Sequence, residues 1–262
     1  MEMTNEAANV MAPKIIRDDV KTVIVNTGNI LSSNDITKNP GQNPAEELAE
    51  AVGLTVSTID LGSINIDNGV AHYEQKGLLG DVANEEIENL KIGIKVFLED
   101  DNSKFLQEAI DKAFAALNVS AVHNVIISLN NKGTGDEQVR KIKNIWSSVE
   151  SYVKTSKIQQ VGLSDVEESA FRRIYSDANI KPSIIQINLA TCCVVPPSLQ
   201  QFCKDNEVLL LTHSDPAEIL PATAIADIFG APFNLNWAVR FLVHIKCRGV
   251  LTTKGYILSL SK

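Results

Sequence analysis

Short apolar or β-branched runs alternate with segments of helical period along most of this chain, and that alternation restricts the fold more than any other feature. Thr22–Ile30, Lys91–Leu98, Val122–Leu129, Ile158–Leu163, Ile184–Leu189 and Glu207–Thr212 read as strands. Between them apolar residues recur at spacings of three and four. One such stripe runs from Phe105 through Ile110 to Leu117, another from Val139 through Trp146 to Tyr152. Strands that are apolar throughout need cover on both faces, which is the situation of a parallel sheet flanked by helices. About eight strand candidates within 262 residues fit either a doubly wound sheet or a (β/α)8 barrel. No Gly-x-Gly-x-x-Gly turn follows the first strand, so the barrel is the expectation.

The boundaries follow from local chemistry. Asn43-Pro44 opens a helix with Glu46 and Glu47 at its positive end, and Gly53 is expected to stop it before a strand at Leu54–Asp60. Ser164 with Glu167 reads as a capping box for the helix that ends near Asn179. Two weaker helical stretches after Asp215 and a last extended segment from Gly249 to Leu260 complete the chain. The polar, Gly-bearing stretch that follows Leu54–Asp60, to about Asn84, is the least readable, and the role of residues 55–84 stays unassigned. No repeat or low-complexity tract appears, so residues 1–262 are expected to form one barrel domain, flexible over 1–20 and irregular in its first third.

Composition removes several function classes. Lys and Arg number 24 against 32 Asp and Glu, a net charge of −8. That excludes a general nucleic-acid binder, whose affinity rests on neutralising phosphates, and a polybasic membrane-surface protein. No run of about 18 apolar residues is present to span a bilayer. The N-terminus MEMTNEAANV lacks the basic and apolar regions of a signal peptide, so a cytoplasmic location is expected. The four cysteines, Cys192, Cys193, Cys203 and Cys247, form no Cys-x-x-Cys pair, so no metal site is expected and the thiols read as free. Charge is unevenly placed: Ile228–Lys262 holds five bases (Arg240, Lys246, Arg248, Lys254, Lys262) and no acid, while Pro44–Asp111 holds fifteen acids and four bases. Either each sign is scattered over solvated surface, or the tail forms a basic patch for an anion or an acidic partner.

A few polar residues stand in apolar surroundings. Lys95 lies within GIKVF; it either snorkels from a strand end or points into the barrel mouth. Ser164 is an N-cap or a ligand contact at a strand-to-helix turn, and Gln186 within IIQIN binds a ligand or satisfies a buried neighbour. His213 closes LLLTH. With His72, His123 and His244 it forms no sequence-adjacent metal pair, and no Gly-x-Ser-x-Gly elbow exists.

Leu90–Pro216 resembles the aldo-keto reductase superfamily, on VGLSD, the Gln-bearing strand, the Pro-led helix with Phe-Cys-Lys, and LLLTHSDP. Within it, NLATCCVVPP and the terminal RGVLTTKGYIL are similar to the branch of glutamate–cysteine ligase regulatory (modifier) subunits. The resemblance implies a (β/α)8 barrel in which Lys95 is a vestigial reductase lysine, with no catalytic residue left. The histidine position is Ser128, and no Asp-x-Ala-x-x-Tyr follows the second strand, since Tyr73 lies in HYEQ. Ser164, Gln186 and His213 would be vestiges of a nicotinamide site, and no cofactor, NADPH included, is expected. The implied role is regulatory: pairing with the ligase catalytic subunit in a heterodimer, raising its glutamate affinity and relieving glutathione feedback. Cys193, Cys192 and Cys247 are then the candidate intersubunit thiols. The alternative is an NADPH-dependent aldo-keto reductase with an atypical site.

Overall fold

A computed structural model describes residues 16–17, 19–32, 42–60, 64–75, 87–189 and 194–262. Among them ten strands form one sheet: β1 (Thr22–Asn26), β2 (Asn65–Asp67), β3 (Val70–Glu74), β4 (Leu90–Leu98), β5 (Val122–Leu129), β6 (Ile158–Ser164), β7 (Ile184–Asn188), β8 (Leu209–His213), β9 (Asn234–Ile245) and β10 (Val250–Ser261). Six α-helices among the described residues accompany them: α1 (Pro44–Thr58), α2 (Ser103–Leu117), α3 (Gly135–Lys154), α4 (Glu168–Asp177), α5 (Pro197–Asp205) and α6 (Ala222–Phe229).

The expected α/β alternation is present. From β4 to β8 each strand gives way to a helix, and successive strands pair in parallel. This stretch is the (β/α)8-like wall of a single, mostly parallel sheet. The order β2-β3-β1-β10-β9-β4-β5-β6-β7-β8 shows where it departs from a regular barrel. The hairpin β9–β10 enters between β1 and β4 and runs antiparallel to both. Among the described residues no ladder joins β8 to β2, the two ends of that order.

Helices cover both faces, which is why the strands are apolar on both. On one face Leu106 and Ile110 of α2, Ile145 and Trp146 of α3 and Phe171 of α4 share a core with Ile92, Ile94 and Val96 of β4. On the other, Leu48, Val52 and Val56 of α1 and Phe229 of α6 share a core with Val23, Val25, Tyr256 and Leu258. Each fully buried aliphatic or aromatic side chain stabilises the fold by roughly 1.5–3 kcal/mol relative to its exposed state. The second face also carries Lys95 and its neighbours.

Three local expectations are corrected. α1 runs straight through Gly53 to Thr58, so Leu54–Asp60 is not a strand. Asn43 and Glu46 form a full capping box, and Leu48, Val52 and Val56 continue one stripe at spacings of four, which outweighs the helix cost of a single glycine of about 1 kcal/mol. Asn234–Ile245 is a strand rather than a second weak helix, because Trp237, Val239, Phe241 and Val243 alternate with period two. The Ser164–Glu167 capping box does not form. Ser164 is the last residue of β6, Asp165 turns the chain at φ +59°, and the Glu167 carboxylate accepts from the Gly135 N–H at the start of α3.

Candidate functional site: a buried ion cluster at the sheet centre

Register places the site before any contact is considered. Lys95 of β4 lies opposite Arg240 of β9, and Arg240 opposite Tyr256 of β10, so all three side chains share a face. Phe97, Ser128, Ser164, Gln186 and Leu211 form one row on that face, across β4 to β8. Lys95 Nζ donates to Ser164 Oγ at 3.1 Å, to Gln186 Oε1 at 2.7 Å and to Asp215 Oδ2 at 2.7 Å. In a flat sheet β4 and β7 would stand about 14 Å apart, beyond the combined reach of a lysine and a glutamine. The sheet therefore curls around Lys95. Gly162 belongs to the curl: a Cβ there would lie 2.5 Å from Ile184 Cβ, where β7 closes on β6.

The sequence-derived positions Lys95, Ser164, Gln186 and His213 thus converge. Two residues that complete the cluster are not placed at this site by the sequence. Asp215, which reads as part of a turn, also accepts from both terminal nitrogens of Arg240, which reads as part of a basic tail. Lys95 and Asp215 are 5% and 4% exposed, so the ions are held by each other and not by water. A signal exists for Arg240 as for Lys95: a cation inside an otherwise apolar alternating strand. Asp215 has none, since an aspartate in a turn is commonplace.

Electrostatics follow from this packing. Burial pulls the Lys95 pKa down to about 8 against the opposing attraction of Asp215. Burial would raise Asp215, but hydrogen bonds from His213 and Arg240 and the charges of Arg240 and Lys95 hold it far below the carboxylate range. His213 Nε2 sits 3.0 Å from Asp165 Oδ1 and 3.1 Å from Ser164 Oγ. Burial disfavours its proton, yet Asp165 and Asp215 raise its pKa overall.

The cluster places Ser164, His213 and Asp215 in the order of a nucleophile, its base and an orienting acid. Ser164 is 1% exposed, however, and its hydroxyl accepts from Lys95, so no acyl group reaches it. Nor, among the described residues, is a phenol positioned as proton donor to a carbonyl. The Tyr256 hydroxyl donates to Glu47 Oε1 at 2.6 Å, and burial drives its pKa well up, the reverse of what proton donation needs. Tyr73 is buried against Phe229, and burial raises its pKa too.

A cavity of about 510 Å³ adjoins the cluster at the ends of β5–β8, bordered by Asn130, Lys132, Asp165, Asn188 and Asp215. A second, of about 220 Å³, lies between Phe97, Ile219 and Phe233 and shares Ser128, Asn130 and Ala217 with the first. The arrangement does not fit a nicotinamide carboxamide. The Ser164 and Gln186 oxygens that would meet it both face Lys95, and Ser164 is sealed. The basic tail also disperses: Arg240 goes to Asp215, Lys254 to Glu47 and Lys246 to the Glu88 carbonyl. Of the candidate thiols, Cys247 is exposed in the β9–β10 turn, while Cys192 and Cys193 lie outside the described residues; Cys203 is buried. Among the described residues no group of His, Cys, Asp or Glu could hold a metal ion, and no helix is long and apolar enough to cross a membrane.

The aldo/keto reductase family model matches residues 28–215, the stretch from the turn after β1 to Asp215. The chain belongs to the aldo/keto reductase family. Several relatives match almost end to end. The glutamate–cysteine ligase regulatory subunit of Homo sapiens is 29% identical over 96% of this chain and 97% of its own length. That of Bos taurus is 30% identical over 92% and 93%. A glyoxal reductase of Bacillus subtilis is 23% identical over 62% of the chain and 56% of its own length. The chain is thus similar to proteins of both kinds, a regulator and an enzyme.

Proposed function

We propose that the protein is the regulatory subunit of a glutamate–cysteine ligase. It pairs with the catalytic subunit in the cytoplasm, raises that subunit's affinity for glutamate and weakens feedback inhibition by glutathione. It carries no reductase activity and no nicotinamide cofactor of its own. One observation carries the reading: over nearly its whole length the chain is similar to ligase regulatory subunits. The engagement of Lys95 by Ser164, Gln186 and Asp215 agrees with it. A reductase lysine must act on a tyrosine donor, and the buried phenol nearest in register donates to Glu47. A regulator of this kind acts by binding the active form of its partner more tightly than the inactive form, and can shift the equilibrium only by that difference. Exposure of Cys247 supports it as one accessible candidate for the intersubunit thiol, beside Cys193 and Cys192.

The test is ligase turnover at limiting glutamate, with the catalytic subunit alone and with this chain added. Activation, together with a glutathione inhibition curve moved to higher concentration, is the expected result. No change in either, in reducing and oxidising buffer alike, sinks the proposal. Oxidation of NADPH by the chain with a carbonyl substrate would establish the reductase alternative instead.

A further inference from the structure

The ion cluster contains one side chain with two mutually exclusive sets of partners. His213 Nδ1 lies 3.1 Å from the backbone nitrogen of Asp215 and also 3.1 Å from that residue's Oδ2. With a lone pair on Nδ1, the ring accepts the Asp215 N–H and pins the turn that follows β8. With a proton there, the ring donates to the carboxylate, and the backbone N–H loses its acceptor. Nε2 keeps Asp165 Oδ1 and Ser164 Oγ within reach in either state. Asp215 is 4% exposed, so in the observed conformation its backbone N–H has little contact with bulk water. An unsatisfied buried donor is costly, and the turn must adjust to avoid it.

We propose that His213 is a proton-operated latch on the Asp215–Ala217 turn: the neutral ring holds the observed conformation and the protonated ring releases it. Asp215 and Pro216 line the larger cavity and Ala217 lines both, so release reshapes the two together. Asn188 Nδ2 donates to the Asp215 carbonyl at 2.7 Å and anchors the far side of the residue, confining the movement to its N–H side. The charged groups facing the ring are Lys95 from β4, Asp165 beyond β6, Asp215 itself and Arg240 from β9, with Lys132 acting on Asp165. Two carboxylates against Lys95 and Arg240 balance when His213 is neutral, and protonation adds one unbalanced charge. Lys95 is the competing proton site, because burial brings its pKa to about 8.

Nuclear magnetic resonance of the full chain between pH 9 and pH 5, following the His213 ring nitrogens and the Asp215 amide, tests the latch. The amide is expected to shift and lose exchange protection at the same midpoint as the ring. His213→Gln, which offers an uncharged acceptor, abolishes the amide transition; Asp165→Asn moves both midpoints to lower pH; Lys95→Met leaves the transition in place and raises its midpoint. An Asp215 amide that stays fixed while the ring titrates overturns the proposal, as does a ring that takes no proton down to pH 5. A transition that persists in His213→Gln and vanishes in Lys95→Met puts the proton on Lys95 and overturns it equally. Should His213→Gln not fold, the matched midpoints of the native chain and their displacement in Asp165→Asn decide the matter.

Discussion

Asp215 is the residue on which the centre of the molecule balances. It takes Lys95 on one oxygen and Arg240 on both, and its own backbone is held by His213 and Asn188. Removing the charge from a buried pair costs far more than the pair itself contributes, because the partners remain desolvated without compensation. Asp215→Asn is therefore expected to lower stability in urea unfolding by about 3–5 kcal/mol. Adding Lys95→Met to that variant removes one orphaned cation and should recover part of the loss. Additive losses in the double variant would show that the three ions do not form one unit. Lys95 is legible as an anomaly from its neighbours alone, since a lysine among Ile94, Val96 and Phe97 needs a partner. Its partners are not, because Asp215 is 120 residues away and nothing local to it marks a buried ion.

Among the elements, local patterns suffice where one period dominates. The stripes of α2 and α3 and the apolar runs of β5 and β6 give elements close to their final limits. They fail where a glycine has two meanings. Gly53 looks like a stop, yet it lies inside α1, where an added methyl group would meet Ile228 at 3.9 Å, a distance of ordinary contact. Gly255 lies inside the extended segment expected from Gly249 to Leu260, but nothing local shows that the strand there passes against the Gly28 carbonyl and the Phe241 ring so closely that a Cβ would collide with both. The pair predicts opposite signs. Gly53→Ala should stabilise by about 1 kcal/mol, the helix-propensity difference. Gly255→Ala should destabilise by about 1–3 kcal/mol, as overpacking does, and toward the upper end because one obstacle is backbone. Urea midpoints of the two variants check both; equal effects would mean that the close approach at Gly255 relaxes freely.

For the molecule as a whole, the order of strands matters more than their number. β9 and β10 come last in the chain but lie in the middle of the sheet, the only ladders connecting β1–β3 to β4–β8 among the described residues. Trp237, Phe241 and Tyr256, all fully buried, come from this hairpin and reach both cores. A chain stopped after Phe233 is expected to lose cooperative urea unfolding altogether, whereas loss of an edge strand would leave the transition intact. Circular dichroism during urea titration of the truncated chain distinguishes the two.

Residue order along the chain is enough to settle the α/β class, the run of parallel β/α units from β4 to β8, and which residues stand at Lys95, Ser128, Ser164 and Gln186. These are properties of period, length and residue identity, which neighbours in the chain decide. Three-dimensional assembly alone settles that the terminal hairpin is central, that Ser164 belongs to a buried cluster and not to a helix cap, and that Arg240 faces Asp215 and not solvent. Each of these depends on which distant strand supplies the missing partner. A buried charge or an unpaired strand edge states that a partner is required, but its identity is set by the register and curl of the assembled sheet.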